Sequence, residues 1–156
     1  MAKLEGNRWI VENITGTQDT VIEPEAKHSI YISKVVDGVV TVSGKCNTIM
    51  IDDCSGSGII FSDVIATVEV VNSKKMQLQA NAAVPQIMFD KCEGGTVYLQ
   101  TAAAQSAEIV TSLSRELNVV IPGATEEDDA IEFPVPAQFV SCLKDGEFAT
   151  IPAEHV

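Results

Sequence analysis

The chain has 156 residues, with 10 Lys and Arg against 22 Asp and Glu and a net charge of −12. That length suits one domain with a real core, and the apolar content argues against disorder over the whole. The acidity excludes nucleic acid and anionic membrane as main partners, because both need basic surface; a local basic patch for a protein partner stays open.

Met1 to Glu5 is polar and carries no signal-peptide core. No apolar run is long enough for a membrane-spanning helix, so no membrane insertion is expected. Trp9-Ile10-Val11 reads as the first strand, with the single Trp covering an open end of the fold. Residues 15–27 carry Pro24 and read as an irregular turn-and-strand coil. From residue 49 a 19-residue unit repeats three times without a gap, as 49–67, 68–86 and 87–105. Ile49, Val68 and Ile87 share one column; Ile51, Val70 and Phe89 share another. Ile59, Leu78 and Val97 align, as do Phe61, Ala80 and Leu99, and Cys54, Ser73 and Cys92 form a column of small residues. The register extends back to Ile30-Tyr31-Ile32 and Val40-Thr41-Val42.

Each unit therefore holds two or three short strands with in-out-in alternation, separated by turn residues such as Asp37-Gly38, Gly44, Gly56-Ser57-Gly58 and Gly94-Gly95. No window keeps a helical period with caps. Past Gln105 the register slips by a residue or more. Glu108-Ile109-Val110 and Asn118-Val119-Val120-Ile121 then make one more coil, ended by Pro122-Gly123. Residues 124–138, with Glu126-Glu127-Asp128-Asp129, read as an acidic, proline-bearing linker. Residues 139–143 and 147–151 flank Lys144-Asp145-Gly146, a hairpin signal. A lone hairpin is marginal in water. This one carries Phe139, Val140, Leu143, Phe148 and Ile151, so it needs a partner surface. That surface is its own stack or a second chain.

A repeat this short cannot bury its own apolar face, so the copies must stack. The predicted fold is all-β: a right-handed parallel β-helix over residues 4–123, five to six coils long, followed by linker and hairpin arm (residues 139–156) in a single domain. At ~4.8 Å per coil the stack spans roughly 25–30 Å. An antiparallel sandwich also has many short strands, but gives no reason for gapless columns.

Residues able to do chemistry are scattered. Asp52, Asp53 and Asp90 fall in or beside the same turn columns, an arrangement some carbohydrate-cleaving β-helices use, yet Val71 separates them and no cluster joins them. A cysteine nucleophile needs a base, and the two His, His28 and His155, stand apart. Cys46, Cys54, Cys92 and Cys142 form no metal or redox pair and read as free thiols of a reducing cytosol. Gly94-Gly95 belongs to no phosphate-binding pattern. The expectation is a binding protein with no catalytic residues, metal or cofactor.

The informative departure lies inside the repeat. Asp37, Gly56, Lys75 and Gly94 share a turn column, and Val36, Ser55, Lys74 and Glu93 the next. The middle copy thus places Asn72-Ser73-Lys74-Lys75 where its neighbours have small residues; the two adjacent lysines read either as ordinary surface lysines or as a basic contact point for an acidic partner. Two outward columns, Tyr31/Met50/Glu69/Met88 and Thr41/Ile60/Gln79/Tyr98, put apolar groups on flat faces that suit protein binding better than catalysis.

Four separated motifs carry a family resemblance. They are residues 4–13 (LEGNRWIVEN), Val71-Asn72-Ser73-Lys74, Asn118 to Pro122, and residues 132–139 (EFPVPAQF). In this order and spacing they resemble the C-terminal domain of cyclase-associated proteins, from about Leu4 to the C-terminus. The resemblance implies a right-handed parallel β-helix that dimerises by exchanging its C-terminal hairpin. It implies binding to monomeric actin, preferentially the ADP form, and exchange of ADP for ATP that recycles monomers in the cytoplasm. By position it makes Asn72, Ser73, Lys74 and Lys75, with Gln77 and Gln79 on the same strand, candidates for actin contact, and Pro152 to Val156 a further one. Phe139, Val140, Leu143, Phe148 and Ile151 would form the exchanged arm.

The family's longer members carry an N-terminal helical domain, proline-rich segments and a verprolin-homology motif. The 156 residues hold none of these, so cyclase binding and that domain's oligomerisation do not carry over to them. A natural single-domain protein and a piece of a longer one fit equally well. The related tubulin cofactor C domain shares the β-helix and uses an arginine to stimulate GTP hydrolysis. A GTPase activator is therefore the alternative function, with Arg8 and Arg115 as the available arginines.

Overall fold

The computed structural model describes residues 2–16 and 19–153. His155 and most of the tail proposed for partner contact lie outside the described residues. Strand β1 (Ala2–Glu5) turns through Gly6 and Asn7 into β2 (Arg8–Thr15). Six coils follow, each of two strands: β2 with β3 (Asp19–Ile22), β4 (Ser29–Val36) with β5 (Val39–Val42), and β6 (Cys46–Asp52) with β7 (Gly58–Phe61). The next three are β8 (Val64–Val71) with β9 (Lys74–Ala80), β10 (Gln86–Asp90) with β11 (Glu93–Leu99), and β12 (Glu108–Ser112) with β13 (Arg115–Ile121). Strands β14 (Ile131–Pro134), β15 (Phe139–Lys144) and β16 (Glu147–Pro152) complete the chain.

The first strand of every coil joins one sheet, ordered β1-β2-β4-β6-β8-β10-β12. The second strand joins the other, ordered β14-β13-β11-β9-β7-β5-β3. We call these the first and second sheets. Within the stack all neighbours run parallel, so the fold is a parallel β-solenoid of six coils, as the repeat columns predict. Ile30, Ile49, Val68 and Ile87 pair in succession, each one repeat after the last. Val40, Ile59, Leu78 and Val97 do the same in the second sheet. These β-branched and aliphatic columns are buried and make the core. Each such side chain contributes about 1.5–3 kcal/mol when taken out of water.

Past Gln105 the pairing partner lies further along the chain than one repeat: Ile87 pairs with Ile109 rather than with the residue at position 106. The extra residues form a 3-10 turn, Ala104–Ser106, at the outer corner, where Ala104 tucks into the core and its N–H donates to the Thr101 Oγ1 at 3.2 Å. A local bulge at a corner leaves both sheets in register on either side.

At the opposite corner the chain passes from the first sheet to the second through a four-residue arc whose ends are left-handed. Lys34 and Asp37 have φ of 54° and 55°, Asn72 and Lys75 49° and 52°, and Leu113 and Glu116 51° and 58°. Asn, Asp and Gly tolerate this region, while a branched apolar residue such as Leu113 is strained by it. The second arc residue faces inward and closes the turn. Its side chain donates to the carbonyl two residues back: Cys54 Sγ to Asp52 O, Ser73 Oγ to Val71 O, Cys92 Sγ to Asp90 O and Ser114 Oγ to Ser112 O. That explains the column of small residues, which Ser114 continues into the last coil.

Both ends are closed on one sheet by an antiparallel strand, β1 on β2 and β14 on β13. Residues 131–134 are thus part of the fold, not linker: Val119 pairs with Phe133 and Ile121 with Ile131. The Pro residues stop this edge from extending. Trp9 is half-buried at the first coil, consistent with an end cover, and its indole N–H donates to His28 Nδ1 at 3.2 Å. The hairpin of β15 and β16 forms with the expected Asp145-Gly146 turn and stands as a separate two-stranded sheet.

Candidate protein-interaction surface

The Asn72–Lys75 arc sits at the corner of the fourth coil, one coil from neighbours of different chemistry. Val36, Ser55, Lys74 and Glu93 line up as adjacent bridges, as the columns predict. Asn72, Lys74 and Lys75 are exposed and project at the surface. Ser73 is not: it is 1% exposed. Its hydroxyl accepts the Cys54 N–H at 3.2 Å and donates to Val71 O at 2.9 Å. Ser73 therefore cannot touch a partner; it fixes the arc from which the two lysines project. Neither lysine has a carboxylate within ion-pair distance among the described residues. Gln77 and Gln79 continue outward along β9 from Lys75, with Met76, Leu78 and Ala80 inward.

The sequence reading missed the breadth of the basic corner. The arcs hold Lys34, Lys74, Lys75, Lys91 and Arg115, five of the ten cations in the chain. Lys91 occupies the same arc position as Asn72, one repeat further on, so the offset alone would have found it. Lys74, Lys91 and Arg115 border a hollow of about 630 Å³ whose other wall is Pro136, Ala137 and Phe139 at the base of the hairpin.

The two sheet faces differ. The first sheet presents Tyr31, Met50, Glu69 and Met88 in one outward ladder and Asp52, Val71 and Asp90 in the next, all half-buried by their neighbours. The second presents Val39, Gly58, Gln77, Thr96 and Asn118, then Thr41, Ile60, Gln79, Tyr98 and Val120. The outward apolar side chains expected on these faces are there, half-buried rather than fully exposed.

The other candidates stay apart. Asp52 and Asp90 lie two coils apart with Val71 between, and Asp52 accepts the Tyr31 hydroxyl at 3.3 Å. Arg8 stacks over the Tyr31 ring at 4.6 Å, and Arg115 pairs with Glu93 at 3.0 Å. His28 is 3% exposed. Its Nδ1 accepts both the Trp9 indole and the Glu25 N–H (3.0 Å), which places the ring hydrogen on Nε2. Cys46, Cys54 and Cys92 are buried, and burial pushes their thiols up, Cys46 to about 11. Among the described residues no group of three metal-ligating side chains forms.

Every side chain assigned to the arm is exposed, Leu143 and Phe148 by more than 70%. They divide between the two faces of the hairpin: Phe139, Leu143 and Phe148 on one, Val140 and Ile151 on the other. Cross-strand pairs such as Leu143–Phe148 and the Ser141–Thr150 hydroxyl bond at 2.9 Å join its two strands.

Comparison with known proteins places the chain. The profile of the family described as "Adenylate cyclase associated (CAP) C terminal" matches residues 1–155. The chain is 37% identical over 154 residues to the adenylyl cyclase-associated protein of Dictyostelium discoideum, covering 98% of this chain and 33% of that one. It is 38% identical to cyclase-associated protein 1 of Arabidopsis thaliana (96% and 32%) and 40% to adenylyl cyclase-associated protein 2 of Mus musculus (97% and 31%). It thus spans about a third of the length of these relatives. The crystal structure of cyclase-associated protein from Cryptosporidium parvum superposes with a TM-score of 0.91 at 25% identity, covering 98% of this chain and 94% of that one. The stacked coils, the motifs and these matches agree: the chain belongs to the family of cyclase-associated protein C-terminal domains.

Proposed function

We propose that this chain binds monomeric actin, preferentially with ADP bound, and promotes exchange of ADP for ATP, so returning monomers to filament assembly in the cytoplasm. Family membership over the whole chain supports this reading. The observation that carries it is the arc at Lys74 and Lys75: two exposed cations, unpaired among the described residues, held by the buried Ser73 on an otherwise acidic protein. Such a corner attracts carboxylates and steers encounter. The chain acts as a partner, using actin's own nucleotide site rather than one of its own.

The same reading makes the active species a homodimer that exchanges the hairpin of β15 and β16. An apolar two-stranded sheet exposed on both faces is marginal alone and gains from a second copy.

The test is release of a fluorescent nucleotide from ADP-actin with stoichiometric protein. Acceleration is expected, and loss of most of it in Lys74→Ala/Lys75→Ala. An unchanged release rate with the wild-type chain would remove the exchange activity.

A further inference from the structure

We propose that Leu113 is an apolar anchor for the partner, and that the hollow beside it takes a partner segment carrying one apolar side chain among carboxylates. This rests on the actin reading above and names the chemistry that the basic corner recognises.

The anomaly lies at the first arc position. All six coils hold it in the left-handed region, as Asn13, Lys34, Asp53, Asn72, Lys91 and Leu113, with φ between 49° and 58°. Each directly follows a residue paired with its counterpart in the neighbouring coil, so the six form one column. Five of them are polar. Asn and Asp tolerate this backbone, and a lysine keeps its charged end in water. Leu113 has neither compensation. A bulky apolar residue is strained there, and at 81% it is the most exposed of the large apolar side chains. It adds nothing to the core. Strain held without a gain in the folded chain marks a place where a contact from outside supplies the gain.

The surroundings define that contact. Leu113 walls the 630 Å³ hollow between the arc cations and the base of the hairpin. Lys74, Glu93 and Arg115 pair in succession across β9, β11 and β13, which puts Lys74 and Arg115 two coils, roughly 10 Å, apart. Lys91 belongs to the arc between them. Glu93 engages Arg115 at 3.0 Å, but among the described residues Lys74 and Lys91 have no carboxylate within ion-pair distance. On a chain of net charge −12 this is a local excess of positive charge. The facing wall is apolar, with Pro136 and the half-exposed Phe139. The complement is a segment whose apolar side chain enters between Leu113 and Phe139 while its carboxylates reach Lys74 and Lys91. An apolar centre ringed by charge keeps water from the contact and selects against purely acidic or purely apolar partners. Lys74 belongs both to this hollow and to the contact proposed above, so one partner covers both.

The test titrates fluorescent monomeric ADP-actin with the full chain as wild type, Leu113→Asn, Leu113→Met and Ile65→Thr. Ile65 is another exposed apolar residue, beside Ala83 and Ala103 near the outer corner. Thermal unfolding is recorded for each. Leu113→Asn accepts the left-handed backbone and loses the apolar contact; Leu113→Met keeps that contact. The expected result is at least about tenfold weaker binding for Leu113→Asn, the scale of burying one such side chain, at unchanged or raised melting temperature. Leu113→Met should stay within threefold of wild type and Ile65→Thr within twofold. Wild-type binding with an unaffected Leu113→Asn overturns this inference and leaves the actin reading standing. So does an equal loss in Leu113→Met or Ile65→Thr, or a loss that comes with a lower melting temperature. No binding by the wild-type chain removes both.

Discussion

The Trp9 indole N–H and the Glu25 backbone N–H converge on one atom, His28 Nδ1, at 3.2 and 3.0 Å. Three residues far apart in character are thus tied at the first coil. Replacing His28 by Leu leaves two donors without an acceptor and is expected to cost about 2–4 kcal/mol, read as a lower urea midpoint. Trp9 is the only tryptophan, so its fluorescence reports this end of the stack. In the wild type it should follow circular dichroism through one transition, and in His28→Leu it should move first.

Ser73 is expected to be a positioning residue. Ser73→Ala orphans the buried Cys54 N–H and should cost about 1–3 kcal/mol. Ser73→Cys, which places in this coil the group its neighbours carry at Cys54 and Cys92, should cost less. Both variants keep Lys74 and Lys75, so weakened actin binding by Ser73→Ala alone would separate arc geometry from charge.

Two glycines of similar local sequence should respond in opposite ways. A Cβ on Gly95 would lie 2.9 Å from Met76 O and 3.3 Å from Leu117 Cδ2, so Gly95→Ala must part β9 from β11 and is expected to cost about 1–3 kcal/mol. Gly58→Ala meets nothing closer than 3.9 Å and should be neutral or stabilising. Denaturant midpoints measured side by side decide this.

Leu113 is 81% exposed and held at φ 51°. Its side chain gains nothing from burial while its backbone is strained. Leu113→Gly should stabilise the chain by about 1 kcal/mol, which at this size raises the melting temperature by roughly 2–4 °C.

The thiols carry a pH dependence. Cys46 is fully buried, and desolvation lifts its thiol from 9.0 to about 11. The folded state then keeps a proton that the unfolded state loses above pH 9. Stability from this group is full below pH 9 and falls as pH rises towards 11. Cys46→Ala should flatten that alkaline decline in a series of urea titrations. At neutral pH a thiol reagent should label the exposed Cys142 first, and Cys46, Cys54 and Cys92 only after unfolding.

Much of this was legible because a solenoid writes its contacts into one period. The pairings of Ile49 with Val68 and of Ser55 with Lys74 follow from counting one repeat forward. The break at Lys74–Lys75 was visible for the same reason. What counting cannot give is orientation at a corner. Asn72, Ser73 and Lys74 are consecutive, yet the left-handed φ of Asn72 turns Ser73 inward, and a lysine or leucine at such a position sends no turn signal. The closing strands β1 and β14 were missed because each is a short antiparallel pairing outside the repeat, and Pro134 argued against a strand.

The hydroxyls of the arcs all reach the same way. Gly38 N–H donates to Ser57, Cys54 N–H to Ser73 and Cys92 N–H to Ser114, each time to the coil that follows in sequence. The stack therefore has a grain. During synthesis from the N-terminus, those corners remain unfinished until the next coil has emerged, and ordering advances one coil behind the growing chain. Fraying runs in reverse, since loss of a later coil strips the acceptor from the one before it. For a solenoid whose contacts are otherwise shared evenly between neighbours, this one-way bonding separates the two ends kinetically.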